Sequence, residues 1–118
     1  MTPGSQRLDD YLAHILEAID RIERYAGDMD EQAFLNDHLV QDAVVRNLEV
    51  IGEASNNITK RFPEFVVGHP ELPLASAYQM RNAVAHGYFK VDFSVVWKTI
   101  RRELPALRGL IRQAQGIR

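Results

Sequence analysis

There is no cysteine in this chain, which removes disulfide frameworks, thiolate nucleophiles and cysteine metal sites together. That composition suits a reducing cytosol. Long apolar runs are missing too: nothing approaches the roughly 20 residues of a membrane-spanning helix. The start, Met1-Thr2-Pro3-Gly4-Ser5-Gln6-Arg7, lacks the apolar centre of a signal peptide. A soluble cytoplasmic protein, not bound to a membrane, is therefore expected. Strand-like alternation, internal repeats and low-complexity tracts are absent. So are a Gly-rich phosphate loop, an acidic cluster suited to two metals and a serine elbow. His14, His38 and His69 are scattered without metal-ligand spacing, so no metal site is assigned.

What is present fits one helical domain. A chain of 118 residues, 46% hydrophobic and 25% charged, can bury a single core, so residues 1–118 form one domain. The net charge of −2 conceals an asymmetry. Residues 1–77 carry six Lys or Arg against fourteen Asp or Glu, whereas residues 78–118 carry eight against two. A basic second half is what a nucleic-acid surface needs; salt-bridged pairing of acidic with basic helices accounts for it equally well.

Apolar residues at Leu8, Tyr11, Leu12, Ile15, Ala18, Ile19 and Ile22 have the spacing of one buried helical stripe. They predict a helix from Arg7 to about Tyr25, with residues 1–6 frayed. Asp30 can cap a short turn through Phe34, and Asn36 or Asp37 the next helix. That helix runs from about His38 to Thr59, with Val40, Ala43, Val44, Asn47, Leu48, Ile51, Ala54, Ser55 and Ile58 inward. Gly52 costs roughly 1 kcal/mol relative to Ala inside a helix, which points to close approach by another backbone, the helix bearing Arg81 being the natural neighbour. Glu53 then sits near the basic residues as an ion partner, or is simply a solvated glutamate.

Pro63, Gly68, Pro70 and Pro73 predict a loop without regular structure from Arg61 to Pro73. Pro73 suits the first turn of a helix over Leu74–His86, and Gly87 its stop. Asp92 can cap the last helix, which Pro105 must kink or restart; residues 113–118 fray. Trp97 belongs to the core or to a subunit interface. The fold class is all-α, an antiparallel four-helix bundle with an extra short helical turn.

One stretch concentrates chemistry: Arg81-Asn82-Ala83-Val84-Ala85-His86-Gly87-Tyr88. Arg81 offers a planar fork of donors for a phosphate, and His86 can exchange a proton near neutral pH. Asn82 and His86 are four apart and share a helical face, so Asn82 can orient His86. Arg81 to His86 is five residues, about 140° around an ideal helix. To act on one phosphate, Arg81 must reach round, or a second copy must help. Arg-x4-His-x-Tyr, with Leu48-Glu49-Val50-Ile51-Gly52-Glu53-Ala54 upstream and Tyr88-Phe89-Lys90-Val91-Asp92 then Val96-Trp97 downstream, resembles the HepT-like toxin branch of the HEPN superfamily, from about Leu8 to Leu107.

The residues themselves suit cleavage of RNA, whose own 2′-hydroxyl can be the nucleophile. His86 would move the proton, and Arg81 would stabilise charge on the phosphorane oxygens. Two proton transfers against one motif histidine per chain call for a homodimer. The resemblance implies the same: a dimeric, metal-independent ribonuclease toxin with no cofactor. It also implies a nucleotidyltransferase antitoxin as partner, which silences the toxin by adding AMP to the motif tyrosine, here Tyr88. Catalysis is thus assigned to Arg81 and His86, support to Asn82 and Glu53, and modification to Tyr88. The competing reading is a non-catalytic helical module that binds a nucleotide or a nucleotidyltransferase.

Overall fold

A computed structural model describes residues 3–86 and 91–117, with side chains from 7 to 84 and 91 to 116. Among these residues every regular element is helical. Helix α1 spans Pro3–Ala26, longer at its start than predicted. Its stripe Leu8, Leu12, Ile15, Ile19 and Ile22 is buried, as three-and-four spacing requires. The short α2, Glu31–Leu35, begins at Asp30, whose carboxylate accepts from the Ala33 N–H at 2.8 Å. Asp37, of the two candidate caps, opens α3 by accepting from the Val40 N–H at 3.0 Å.

Helix α3 runs over His38–Arg61. The segment after it is not the irregular loop its prolines suggested. Pro63–Gly68 forms the short helix α4, with Pro63 in its first turn, where a missing N–H costs nothing. Six residues between breakers suffice for a turn and a half. Helix α5 spans Leu74–His86 as predicted; its expected stop, Gly87, lies outside the described residues.

The last predicted helix divides. Asp92 accepts from the Ser94 N–H and caps α6, Phe93–Lys98. A π turn follows over Thr99–Glu103, and α7 continues over Leu104–Ile117, through residues expected to fray. Pro105 explains the break. It has no N–H for the Arg101 carbonyl, and its ring crowds that group, so the turn before it widens and the Leu104 N–H reaches back to Thr99 O. Widening keeps Ile100, Leu104, Leu107 and Ile111 all facing the core.

Helix α3 lies between α1 and α5, and α7 packs on α1. Tyr11, near the start of α1, meets Phe62, just past the end of α3, edge to face at 6.5 Å, so those helices run antiparallel. Trp97 is a core residue: its ring centroid is 5.4 Å from that of the fully buried Phe34. Between α5 and α7 the bundle stays open as an apolar groove of about 660 Å³, lined by Leu48, Met80, Leu104 and Leu107 among others.

Candidate active site

The contact that builds the site is the crossing of α3 and α5 at Gly52. A Cβ there would run into Arg81 Cβ and stand 2.8 Å from its Cγ and 3.0 Å from the Ala77 carbonyl oxygen. Only a residue without a side chain lets the base of Arg81 lie against α3. This is the close approach that a glycine inside an apolar helix face implied.

Seated there, the Arg81 guanidinium meets two acceptors, one on its own helix and one on α3. One Nη donates to the Asn82 side-chain oxygen at 2.9 Å, and the other pairs with Glu53 at 3.3 Å. Asn82 is four residues before His86, so the guanidinium leans towards the helical face that the two positions share. Asn82 uses its oxygen on Arg81; the side chain of His86 and all of Tyr88 lie outside the described residues. Glu53 is the predicted ion partner, and it is 55% exposed, so screening by water keeps that pair weak. The Arg81 Nε is buried without a hydrogen-bond partner among the described residues. Its donors are thus incompletely used.

Arg81 also lines a cleft of about 410 Å³ between α1, α3 and α5. Tyr11 and His14 come from α1; Arg46, Glu49, Val50, Glu53 and Asn57 come from α3. The sequence reading assigned His14 no role and passed over Arg46 and Asn57. Spacing held a partial signal, since positions 46, 49, 50, 53 and 57 recur at three and four residues along one face of α3. That α1 would lay a tyrosine and a histidine beside this face follows only from packing.

Two arginines of the basic second half are in structural use. Arg108 binds Asp20 and Glu23 at 2.6 Å each. Arg101 donates to Gly27 O at 3.2 Å and sits 5.0 Å over the Trp97 ring, a cation–π contact. Another unassigned histidine, His69, stacks on Phe65 with Nδ1 3.0 Å from the Phe65 carbonyl oxygen. Among the described residues no group of three or more His, Cys, Asp or Glu is placed to hold a metal ion, and no helix is long and apolar enough to cross a membrane.

Comparison with known proteins bears directly on this site. Residues 15–114 match the family described as Ribonuclease HepT-like. The chain belongs to that family. Among relatives, "Probable ribonuclease HepT" of Thermococcus cleftensis is 44% identical over 100 residues, covering 85% of this chain and 88% of that protein. "Putative RNase TTE0752" of Caldanaerobacter subterraneus subsp. tengcongensis is 38% identical, covering 87% and 89% of the two chains. "Putative RNase MJ0125" of Methanocaldococcus jannaschii is also 38% identical, covering 83% and 82%. No solved structure matches the chain. Membership of the HepT-like ribonuclease family agrees with the all-helical HEPN-like bundle, and spans the helices that carry Gly52, Glu53, Arg81 and His86.

Proposed function

We propose that this HepT-like protein is an endoribonuclease toxin that cuts RNA with Arg81 and His86. The observation that carries this reading is the reach of Arg81. Seated on Gly52, it holds Asn82 and the exposed Glu53 by its two terminal nitrogens and lines an open cleft, on the helix that carries His86. An RNA phosphate replaces the exposed Glu53 as partner of the guanidinium. The 2′-oxygen forms a bond to phosphorus, the bond to the 5′-oxygen breaks, and Arg81 stabilises the charge that builds on the equatorial oxygens. One proton leaves the 2′-hydroxyl and one is delivered to the departing 5′-oxygen, leaving a cyclic phosphate and a free hydroxyl. No metal is required by this sequence of steps.

Two proton transfers need two carriers, and each chain has one histidine in the motif. A homodimer that joins two such segments supplies both, and the apolar groove between α5 and α7 gives a second copy a surface to cover. Silencing by a nucleotidyltransferase antitoxin fits the same chemistry. AMP on Tyr88 would bring a phosphodiester anion within reach of Arg81 and occupy the place of the substrate phosphate. The cytoplasm is the compartment where such a pair and its RNA meet.

The test is cleavage of RNA by wild type, His86→Ala and Arg81→Ala, with and without EDTA. Each substitution should lower the rate by roughly 10²-fold or more while leaving helicity unchanged, and EDTA should have no effect. Full activity in either variant, or loss of activity in EDTA, would move the chemistry elsewhere. Absence of cleavage by wild type would favour the non-catalytic binding module. Incubation with the antitoxin and ATP should add AMP masses to wild type and none to Tyr88→Phe.

A further inference from the structure

The cleft beside Arg81 holds more chemistry than the phosphate alone requires. Its long side follows α3 from Arg46 to Asn57, eleven residues or about 16 Å of helix. Stacked nucleotides repeat about every 3.4 Å along a strand, so the trough exceeds the length of one. At one end the Tyr11 and His14 rings stand 6.4 Å apart at 76°. Tyr11 is half-buried and fixed from behind by Phe62, whereas His14 is exposed and leaves its ring free to be covered. Val50 and Ala54 supply an apolar floor. Asn57 is half-buried, and its amide makes no hydrogen bond among the described residues. At the other end Arg46 is 75% exposed and only 3.9 Å from its nearest acid, Glu49, a contact of little energy.

We infer that this cleft is a nucleobase subsite, which takes one base of the RNA strand beside the phosphate held by Arg81. The base covers the His14 ring against Tyr11, Asn57 hydrogen-bonds its edge, and Arg46 meets the next phosphate. An aromatic face with a free amide is how single-stranded RNA is read, since unstacked bases offer both a π-face and a polar edge. A purely electrostatic groove would need neither, and the two acids Glu49 and Glu53 make this one a poor groove for phosphate alone. His14, Asn57 and Arg46 therefore set where the strand lies and which base is accepted, and take no part in proton transfer.

The inference rests on the ribonuclease reading for the phosphate at Arg81, and its test is built to fail separately. Anisotropy of a fluorescein-labelled single-stranded RNA decamer of mixed sequence is titrated with full-length His86→Ala protein, so that binding is read without cutting. Adding His14→Ala should weaken binding roughly 5- to 100-fold, and Asn57→Ala several-fold, with unchanged circular dichroism. An abasic decamer of the same length should bind all three proteins equally. Unchanged affinity of both double variants for the RNA decamer, or equal weakening on the abasic strand, overturns the subsite. In the active background, sequencing of ends cut from a random RNA pool should show that Asn57→Ala loses base preference at one position beside the cut. Full retention of preference overturns the assignment of Asn57. Base-dependent binding with no cutting by wild type would defeat the ribonuclease reading and leave the subsite standing.

Discussion

Among the described residues two arginines, Arg108 and Arg81, bridge helices, and acids hold them to very different extents. Arg108 joins α7 to α1 through two carboxylates at 2.6 Å, with its side chain 17% exposed. Arg81 joins α5 to α3 through one carboxylate at 3.3 Å and the amide of its own neighbour, with its side chain 29% exposed. In both, the Nε is buried without a hydrogen-bond partner among the described residues. The Glu23 hydrogen bond, opposed by burial, raises the Arg108 guanidinium above its usual range, so it stays charged at every working pH. A fork with both ends taken by acids is a clamp; a fork with one weak acid beside an open cleft is what the proposed phosphate site requires. Electrostatic pairing alone does not separate structure from function. The number and distance of the partners do.

Truncating each arginine in turn should separate their effects on activity and on stability. Arg81→Ala should lower RNA cleavage by roughly 10²-fold or more with a small change in melting temperature. Arg108→Ala should do the reverse. Comparable loss of cleavage in both would show that Arg81 acts only by holding the fold. Next in size, Gly52→Ala should destabilise by about 1–3 kcal/mol, the usual cost of overpacking, because the new methyl group meets the base of Arg81 and the Ala77 carbonyl. Chemical denaturation measures it, and cleavage should fall as well, since the seat of the arginine moves. A variant as stable and active as wild type would mean that α5 can step away from α3 freely.

Arg108→Ala itself should cost roughly 1–2 kcal/mol: its acids are about half exposed, which discounts the pairs, but charged hydrogen bonds add to them. The loss should shrink in high salt. Glu53→Gln is a smaller and opposite probe. Removal of the one acid on Arg81 should raise affinity for a single-stranded RNA a few-fold, read by anisotropy; weaker binding would make Glu53 a support of the arginine and not its competitor.

The smallest effect belongs to Asp92, the cap of α6. The Ser94 hydroxyl, then the Ser94 N–H, hold its carboxyl below the usual aspartate range. A carboxyl lowered by folding stabilises the fold above its unfolded value and loses that contribution as pH falls through the folded one. Thermal melts should therefore show a slight loss of stability below about pH 4 that is reduced in Asp92→Asn. An identical acid slope in both would remove Asp92 as its source.

The pattern of what was legible follows from the range of each force. Caps and amphipathic stripes act within a few residues, so α1 and α3 were readable, as was the Asp30 cap; α5 was readable from Pro73 before it and Gly87 after it. Helix α4 was missed because prolines and glycines read as breakers also mark helix starts and ends; six residues fit between them. The division of the last helix was foreseeable at Pro105, but its form was not. Whether a proline kinks a helix or widens one turn depends on which choice keeps Ile100 and Leu104 in the core. Gly52 announced a close approach, and its neighbour was the expected one.

Local sequence was enough for an all-helical chain, an Arg-x4-His pair about 140° apart round one helix, and a glycine that required a backbone close by. Those are consequences of local periodicity and of the missing side chain at Gly52. Only the tertiary structure decided which basic residues were spent on holding the fold, because Arg101 and Arg108 find Gly27, Asp20 and Glu23 more than seventy residues away. It alone set Arg81 against Asn82 and brought His14 and Asn57 into the lining of the same cleft. Such contacts depend on how α1, α3 and α5 pack, and packing is settled by the whole buried surface, which no short stretch of sequence contains.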